Sequence, residues 1–569
     1  MQISESITGE NSEFILEKSH LKDKSNVFTV DKIHLNKVLN QLYSEGYTHL
    51  STVIGFQQNG NFVVDYPISS PDPNFKDLNT RFIRTILPSD AELEIDTVSN
   101  IFPGSDVYEK EISELLGITF NGIENGKLLL PDDFPEKVYP LRKDVSTEEL
   151  IELLEKIGVG KNGTMPMKDS KDYVISIGPQ HPTHKEPIRF QFFIKGENIE
   201  SVDLRLGFNH RGIEKALEQN TWVQNLYLIE RICGICSAAH QLAYVETAER
   251  IWEMVDEIPD RAKWMRTLIS ELERIHSHIL WYGVLAHDGG YDMMFHVTWR
   301  DRELVMDILE RITGNRVNYS IETIGGIRKD IDDETISYCL KQLKSLKKKT
   351  LEHYEILQKE KSFVKRLQDV GPLSYHEAIK MNTVGPTARA SGVNYDLRKT
   401  IPYAAYKEIP FETFHQKTGD VYAGLIVRLD ETVESINMCV YILENLPKGD
   451  IAIPFRGRIP EGSAHTRIEA PRGEDIHYII SDGGKNPVRH KVRAPTLANI
   501  TSLLHRFKGM QVADIPLIIR LIDPCIGCME RVTFVDLDSG KIKELQGDEL
   551  IARSNKAFRT NNGIRIFEV

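Results

Sequence analysis

The sequence predicts an α+β protein in which a small N-terminal α/β domain precedes a large, mostly α-helical domain with peripheral β-structure. Three observations lead to this prediction. The 569 residues exceed the usual length of one domain. Strand and hairpin patterns fill residues 1–157, and long helical periodicity dominates from residue 170 onward. Residues 158–169, rich in glycine at their start, are the expected linker.

Local patterns predict the elements of the first domain. The spacing of apolar residues predicts a helix over residues 31–43. The dipeptide Asn59-Gly60 lies between two apolar runs and predicts a β-hairpin. Asp106 with Glu109, and Ser146 with Glu149, have the spacing of residues that cap the start of a helix.

The second domain begins with two predicted strands and continues with long helices, which Pro259 and other breakers separate. The predicted strands span residues 173–177 and 188–194, and the predicted helices span 238–255, 261–287, 301–313, 333–360 and 423–446. After Pro447 the pattern returns to short strands and turns.

Composition and charge exclude several classes of function. The net charge of −13 argues against nucleic acid as a partner. No apolar run approaches the length that spans a bilayer, and the polar N-terminus lacks a signal-peptide pattern. We expect a protein of the cytoplasm, where thiols stay reduced, that reaches a membrane only through partner subunits.

Four of the six cysteines form two C-x-x-C pairs, Cys233 with Cys236 and Cys525 with Cys528. Two thiolates at this spacing bind one metal ion from a tight turn. Zinc modules usually place their pairs about 15–20 residues apart, whereas these pairs lie at opposite ends of a large domain. Spacing alone favours zinc, then an iron–sulfur cluster, then nickel, and it leaves a redox disulfide open.

The residues around both pairs are more specific than the spacing. R-I-C-G-I-C and D-P-C-I-G-C resemble the two signature motifs of the large subunit of [NiFe] hydrogenases. Further matches in the family's order are Gly178–Pro182, His210–Lys215, Gly325–Arg328, Arg389–Gly392 and Glu469–Gly473. The resemblance covers nearly the whole chain and is closest to the membrane-associated, complex I-related branch, typified by formate hydrogenlyase.

This resemblance implies a Ni–Fe centre. Cys233 and Cys525 would be terminal ligands of nickel, and Cys236 and Cys528 would bridge nickel and iron, which carries CO and cyanide in this family. Glu186 resembles the family's proton gate, a carboxyl that relays protons away from the metal.

Two further positions match residues around the family's centre. Arg472 resembles the arginine above the open side of the metal, with Asp523 as the expected partner and Asp288 as a second candidate. Glu214 resembles a residue that holds magnesium or iron in many relatives.

The relatives that bind this extra metal supply a histidine after the last C-x-x-C pair, where this chain has Arg531. This departure from the family pattern gives Glu214 an alternative role, which is pairing with Arg211 or Arg531.

The implied function is that residues 170–531 are the catalytic subunit of a hydrogenase that interconverts H2 with protons and electrons. Residues 1–157 resemble the 30-kDa subunit of complex I and imply docking. Because no cysteine motif remains for Fe–S clusters, electrons would pass to an Fe–S small subunit. Ferredoxin-like and membrane subunits would complete a complex I-like assembly on the cytoplasmic face of the cell membrane.

Two alternatives come from other classes of protein. One is the quinone-site subunit of a complex I-like NADH dehydrogenase, which shares the fold but lacks the four cysteines; His181 and His184 lie in the matching region. The other is a scaffold with a structural four-cysteine zinc. Nickel with iron, no metal, or zinc alone in the purified protein would separate the three.

The chain continues after the last cysteine pair through residues 532–569. In the resembling hydrogenases an endopeptidase removes such a tail once nickel chaperones have loaded the metal. The resemblance therefore implies cleavage between Arg531 and Val532, which the intact mass of active protein would show.

Overall fold

The computed structural model describes residues 14–75, 77–123, 127–131, 133–157, 173–181 and 186–527. The predicted linker (158–169) and tail (532–569) lie outside the described residues, as do Cys528, His184 and Arg531. The α+β class predicted from the sequence is confirmed, with a β-rich N-terminal region followed by a helical one.

Within the described residues, the N-terminal region contains a mixed sheet, a two-stranded pair and three helices. Its strands are β1 (Ile15–His20), β2 (Asn26–Val30), β3 (His49–Leu50), β4 (Ile54–Gln58), β5 (Asn61–Ser69), β6 (Arg81–Leu87), β7 (Glu94–Asp96) and β8 (Thr119–Asn121). Its helices are α1 (Leu35–Ser44), α2 (Ser105–Leu116) and α3 (Thr147–Ile157). The sheet has the order β1-β2-β6-β5-β3, and β4 pairs with β5; β7 pairs with β8.

The hairpin prediction is confirmed, because β4 and β5 pair in antiparallel register around Asn59-Gly60. Both turn residues have positive φ, 51° and 79°. This conformation matches the right-handed twist of the flanking strands, and asparagine and glycine adopt it at low cost.

Two helix starts differ from the predictions. Helix α1 begins at Leu35 rather than residue 31, because Asp31 accepts the N–H groups of Ile33 and His34 in a turn. Glu109 does not cap α2; its buried carboxylate instead accepts the N–H of Val98, outside the helix. The cap before α3 is as predicted, since the Ser146 hydroxyl accepts the N–H of Glu149.

In the part of the second region that the structure describes, helices pack against three small antiparallel sheets. Its strands are β9 (Tyr173–Ile177), β10 (Arg189–Lys195), β11 (Asn198–Arg205), β12 (Glu322–Thr323), β13 (Gly326–Ile327), β14 (Glu461–Ala470), β15 (Gly473–Asp482) and β16 (Arg489–Arg493). Its helices are α4 (Ile213–Gln219), α5 (Trp222–Glu230), α6 (Ser237–Trp252), α7 (Asp260–Asp288), α8 (Asp292–Thr313), α9 (Asp333–Lys359), α10 (Lys361–Leu367), α11 (Tyr375–Lys380), α12 (Gly385–Ala390), α13 (Leu397–Thr400), α14 (Val421–Asn445), α15 (Pro495–Arg506) and α16 (Ile515–Leu521).

The five long helices were predicted within a few residues, except that α8 begins nine residues earlier. Helix α7 forms the centre of the helical core, and its side chains are buried on nearly every face from Met265 to Ala286. Helices α15 and α16 occupy a part of the chain where short strands and turns were predicted.

The sheet of β14, β15 and β16 lies between the helical core and the N-terminal sheet. Buried polar contacts join it to the N-terminal region: Asp23 pairs with His465, and the Lys491 ammonium pairs with Glu111 at 2.6 Å. Arg493 donates to the backbone oxygen of Ser51 at 2.6 Å. The two regions therefore share an extensive interface, and β15 connects it to the helical core.

Candidate metal centre

The first cysteine pair occupies the turn between α5 and α6, and Cys236 is the residue that precedes α6. Glu273 on α7 accepts the N–H groups of Ala238 and Ala239 at 2.7 and 3.0 Å, which fixes the start of the helix. The N–H groups of Ile235 and Cys236 point at the sulfur of Cys233, at 3.3 and 3.2 Å. Donors of this kind stabilise negative charge on sulfur and so favour a thiolate ligand.

The second pair lies just after α16 and approaches the first. The sulfur atoms of Cys233 and Cys525 are 3.3 Å apart, although the residues are 292 positions apart in the chain. Cys233, Cys236 and Cys525 are buried free thiols, with exposed fractions of 2%, 1% and 5%. Three of the four predicted ligands are thus within the core, and Cys528 lies outside the described residues.

Arg211 holds the two cysteine segments together. Its guanidinium donates to the backbone oxygens of Arg231 and Ile232, beside the first pair, and to that of Gly527, inside the second. A single cation therefore links both turns, and its positive charge lies close to the thiols.

Glu186, which the resemblance gives as a proton gate, lies against the second pair, and its role as a gate stays a prediction. The N–H of Gly527 donates to its Oε2 at 2.8 Å. A Cβ atom at position 527 would lie 2.7 Å from Oε1 of Glu186, so glycine leaves the space that the carboxyl occupies. Burial raises the pKa of Glu186 to about 7, and the charge of Cys525 adds to the rise, while the N–H of Gly527 opposes it. A carboxyl with this pKa can take up and release a proton near neutral pH.

Arg472 occupies the two-residue turn between β14 and β15 and is fully buried. It pairs with the Asp523 carboxylate at 2.7 Å, donates through Nε to the Asp523 backbone oxygen at 2.7 Å, and contacts the hydroxyl of Ser277 at 3.3 Å. The predicted Arg472–Asp523 pair therefore exists, two residues before Cys525. The second candidate, Asp288, is wrong as a partner of Arg472, because it pairs with Arg520 at 2.6 Å.

Comparison with known proteins gives three matching family models. Residues 288–457 and 453–531 match the 49 Kd subunit of respiratory-chain NADH dehydrogenase, and residues 28–150 match its 30 Kd subunit. Residues 211–294, which include Cys233 and Cys236, match the nickel-dependent hydrogenases.

Hydrogenase subunits match most of the chain. Formate hydrogenlyase subunit 5 of Escherichia coli (strain K12) is 33% identical over 95% of both chains. The chain belongs to the complex I-related [NiFe] hydrogenase large subunits. The membrane-bound hydrogenase subunit alpha of Pyrococcus furiosus is 38% identical over 63% of this chain and 88% of its own.

Members of the wider superfamily with other names also match. An NADH-quinone oxidoreductase subunit of Bacteroides fragilis is 34% identical over 74% of this chain and 82% of its own. A chain from the solved structure of the membrane-bound sulfane sulfur reductase, an archaeal respiratory membrane complex, is 30% identical with a TM-score of 0.61. The match covers 64% of this chain and all of that chain.

Membership of the hydrogenase family favours the hydrogenase interpretation over the quinone-site alternative. The chain is accordingly an oxidoreductase whose family requires nickel. The sequence had predicted both from the cysteine motifs, and both predictions are confirmed.

Glu214 has partners that the sequence did not predict. It is buried and pairs with Arg489 at 2.8 Å and Lys491 at 3.5 Å, and it accepts the N–H of Val492. Of the two partners expected from the sequence, Arg211 contacts the cysteine turns, and Arg531 lies outside the described residues. The two cations of β16 account for the burial of Glu214 without a metal, and magnesium binding there stays a prediction.

Sequence reasoning missed His240, which follows Cys236 by one helical turn on α6 and is fully buried. Burial alone would lower the pKa of His240, but Asp475 and the thiols of Cys233 and Cys525 raise it above its usual value. The spacing of four residues from Cys236 was the available signal, because such a residue projects on the same side of the helix.

Proposed function

We propose that Cys233, Cys236, Cys525 and Cys528 hold the nickel–iron centre at which this hydrogenase subunit interconverts H2 with protons and electrons. The observation that carries the proposal is the 3.3 Å approach of the sulfurs of Cys233 and Cys525. The donor set fits the group, because buried, soft thiolates suit nickel and iron. The nearby guanidinium groups of Arg211 and Arg472 offset the negative charge of several thiolates.

By the family pattern, Cys233 and Cys525 would be terminal ligands of nickel, and Cys236 and Cys528 would be shared with an iron that would carry CO and cyanide. When bound, the centre would supply the chemistry that converts H2 into two protons and two electrons. The protein supplies the fixed thiolates, the surrounding charge and the route for the proton.

Glu186 takes the proton. Its carboxyl is largely enclosed beside Cys525, and its Oε2 accepts the N–H of Gly527. A carboxyl in this position can accept a proton from the thiolate side and pass it on.

Arg472 acts as a fixed cation at the centre. Three directional contacts, two of them to Asp523, hold its guanidinium in place. A charge held in this way stabilises developing negative charge without reorganisation. Asp523 is thus the residue that positions Arg472.

Electrons leave through a partner that carries Fe–S clusters. The two cysteines outside the motifs, Cys339 and Cys439, are fully buried on α9 and α14 and offer no cluster motif. The partners we propose are an Fe–S small subunit, ferredoxin-like subunits and membrane subunits. Nickel chaperones and an endopeptidase that cuts between Arg531 and Val532 would act during maturation.

The membrane subunits would anchor this chain at the cytoplasmic face of the membrane. The names of two relatives place them in membrane-bound enzymes. In the part of the chain that the structure describes, none of the helices has both the length and the apolar character of a membrane span.

Metal analysis combined with H2 turnover tests the proposal. The purified full complex should contain nickel in proportion to this chain, and iron beyond that of the Fe–S clusters in its partners. It should also evolve H2 with a reduced dye as electron donor. Zinc in place of nickel, with no H2 turnover, would show a structural thiolate site. Absence of both metals from turning-over protein would show that the cysteines do not hold the catalytic centre.

A further inference from the structure

A second group of possible metal ligands lies beside the thiols. It consists of His240 on α6 and of Asp475 and His477 on β15, and is called the His–Asp–His cluster below. All three side chains are buried. Asp475 and His477 are two residues apart on a strand and therefore project from the same face, toward α6.

Three ligand atoms of the cluster converge. Nδ1 of His240 lies 2.9 Å from Oδ2 of Asp475 and 3.3 Å from Nε2 of His477, and the last two atoms are 3.4 Å apart. Ligands of a tetrahedral zinc ion, at bond lengths of 2.0–2.1 Å, are separated by about 3.3 Å. The triangle has the dimensions of one face of such a coordination sphere.

Hydrogen bonds alone leave the cluster incompletely satisfied. Asp475 is fully buried; its Oδ2 faces both imidazoles, but its Oδ1 has no hydrogen-bond partner among the described residues. An ionised carboxylate in such a place needs a compensating cation or donors. One metal ion at the centre of the triangle would engage all three groups at once, which a single shared proton cannot do.

The surroundings of His477 resemble the support that proteins give to a metal-bound imidazole. Nδ1 of His477 lies 3.0 Å from Nε2 of His490 on β16, and the His490 ring stacks on Tyr244. A hydrogen bond at one ring nitrogen fixes the orientation of the imidazole and directs the other nitrogen to the metal.

We propose that the His–Asp–His cluster binds one divalent transition-metal cation, zinc in first place, through His240, Asp475 and His477. Two neutral imidazoles and a carboxylate form a nitrogen and oxygen ligand set that suits zinc. The cation would tie α6, which follows the first cysteine pair, to β15. No cysteine takes part, so this proposal does not rest on the proposed function.

The test measures zinc in the purified full complex, both by elemental analysis and by zinc X-ray absorption. We expect one zinc per chain in wild type, with only nitrogen and oxygen ligands. Asp475→Asn should lower the zinc content at least tenfold and leave nickel in place. His278→Gln is the matched control, because His278 is an equally buried imidazole paired with Glu431 outside the cluster.

Several results would overturn the proposal: wild type without zinc, zinc retained in full by Asp475→Asn, or zinc with sulfur ligands. The wild-type spectrum decides the matter even if the variant fails to fold. Zinc on nitrogen and oxygen ligands in protein that lacks nickel would support this site while contradicting the proposed function, so the two proposals can fail separately.

Discussion

Strand β15 presents buried charged residues on both faces, and the two faces pair them differently. On the face toward the N-terminal sheet, Glu474 contacts His49 at 3.1 Å and also pairs with Arg493 and Arg467. On the face toward the thiols, Asp475 faces the imidazoles of His240 and His477 without an arginine partner among the contacts described, and its Oδ1 lacks a hydrogen-bond partner among the described residues. Because successive residues of a strand point to opposite sides, one segment serves both environments.

The difference indicates what each face does. A buried charge that is fully paired holds two regions in register, and its removal leaves its partners uncompensated. A buried polar group left incompletely paired, next to thiols, is where a ligand or a metal is expected. We therefore expect variants at the thiols and on the face of β15 toward them to lose H2 turnover. Variants on the face toward the N-terminal sheet should instead lose stability.

The largest effect is expected at the thiols. Cys233→Ser or Cys525→Ser should abolish H2 turnover. The loss should exceed the roughly 10- to 100-fold decrease that is typical when a residue hydrogen-bonded to a metal ligand is altered. A neutral hydroxyl does not replace a soft thiolate ligand. Cys439→Ser, at an equally buried cysteine on α14, should keep turnover and lower only the melting temperature. Wild-type turnover in either ligand variant would exclude the thiols from the centre.

The next effect concerns the proton route. Glu186→Gln should reduce H2 turnover and H/D exchange by roughly 100- to 10,000-fold, because the amide keeps the shape of the carboxyl without its acidity. Nickel and iron contents should match those of wild type. If H/D exchange in this variant proceeds at the wild-type rate, protons leave by another route.

The predictions for the thiols and for Glu186 came from the family resemblance. The structure explains why the spacing of the cysteines alone could not identify the site. Two C-x-x-C pairs do not reveal which metal they share, nor that Arg211 spans both turns. Glu214 is separated by 275 residues from its partner Arg489, which local pattern cannot anticipate. The long helices were predictable because their apolar periodicity extends over many turns. The prediction that Glu109 helps to cap α2 was wrong, because its carboxylate accepts the N–H of Val98, which lies outside the helix.

On the face of β15 toward the N-terminal sheet, Glu474→Gln should destabilise the protein by about 3–5 kcal/mol. The substitution leaves the guanidinium of Arg493 buried without its carboxylate partner. The melting temperature of the purified complex measures this. Glu461→Gln, at the exposed start of β14, is the control and should change little. Unchanged stability in Glu474→Gln would mean that the ion pairs of this face are dispensable, and the contrast between the faces would be lost.

The smallest effect depends on pH. Burial alone would raise the pKa of Asp23, but His465 and the N–H groups around it hold the pKa below its usual range. A depressed carboxyl pKa contributes stability above the unfolded value, about 3.9, and loses it as pH falls toward the folded value. The stability difference between wild type and Asp23→Asn should therefore be full above about pH 5 and shrink below pH 4.

Unfolding of the full chain followed across this range gives the answer, with Asp96→Asn, at an exposed carboxylate of the same region, as the control. A stability difference that does not vary with pH would show that Asp23 holds the two regions together by its shape rather than by its charge.

Nickel X-ray absorption on the purified, active complex tests the central claim most directly, which is that the two cysteine pairs form one nickel–iron centre. The predicted spectrum shows nickel with sulfur ligands from four cysteines and an iron neighbour, and this signal disappears in Cys525→Ser. Nickel bound by nitrogen and oxygen alone, or a sulfur-bound nickel that survives Cys525→Ser unchanged, would contradict it.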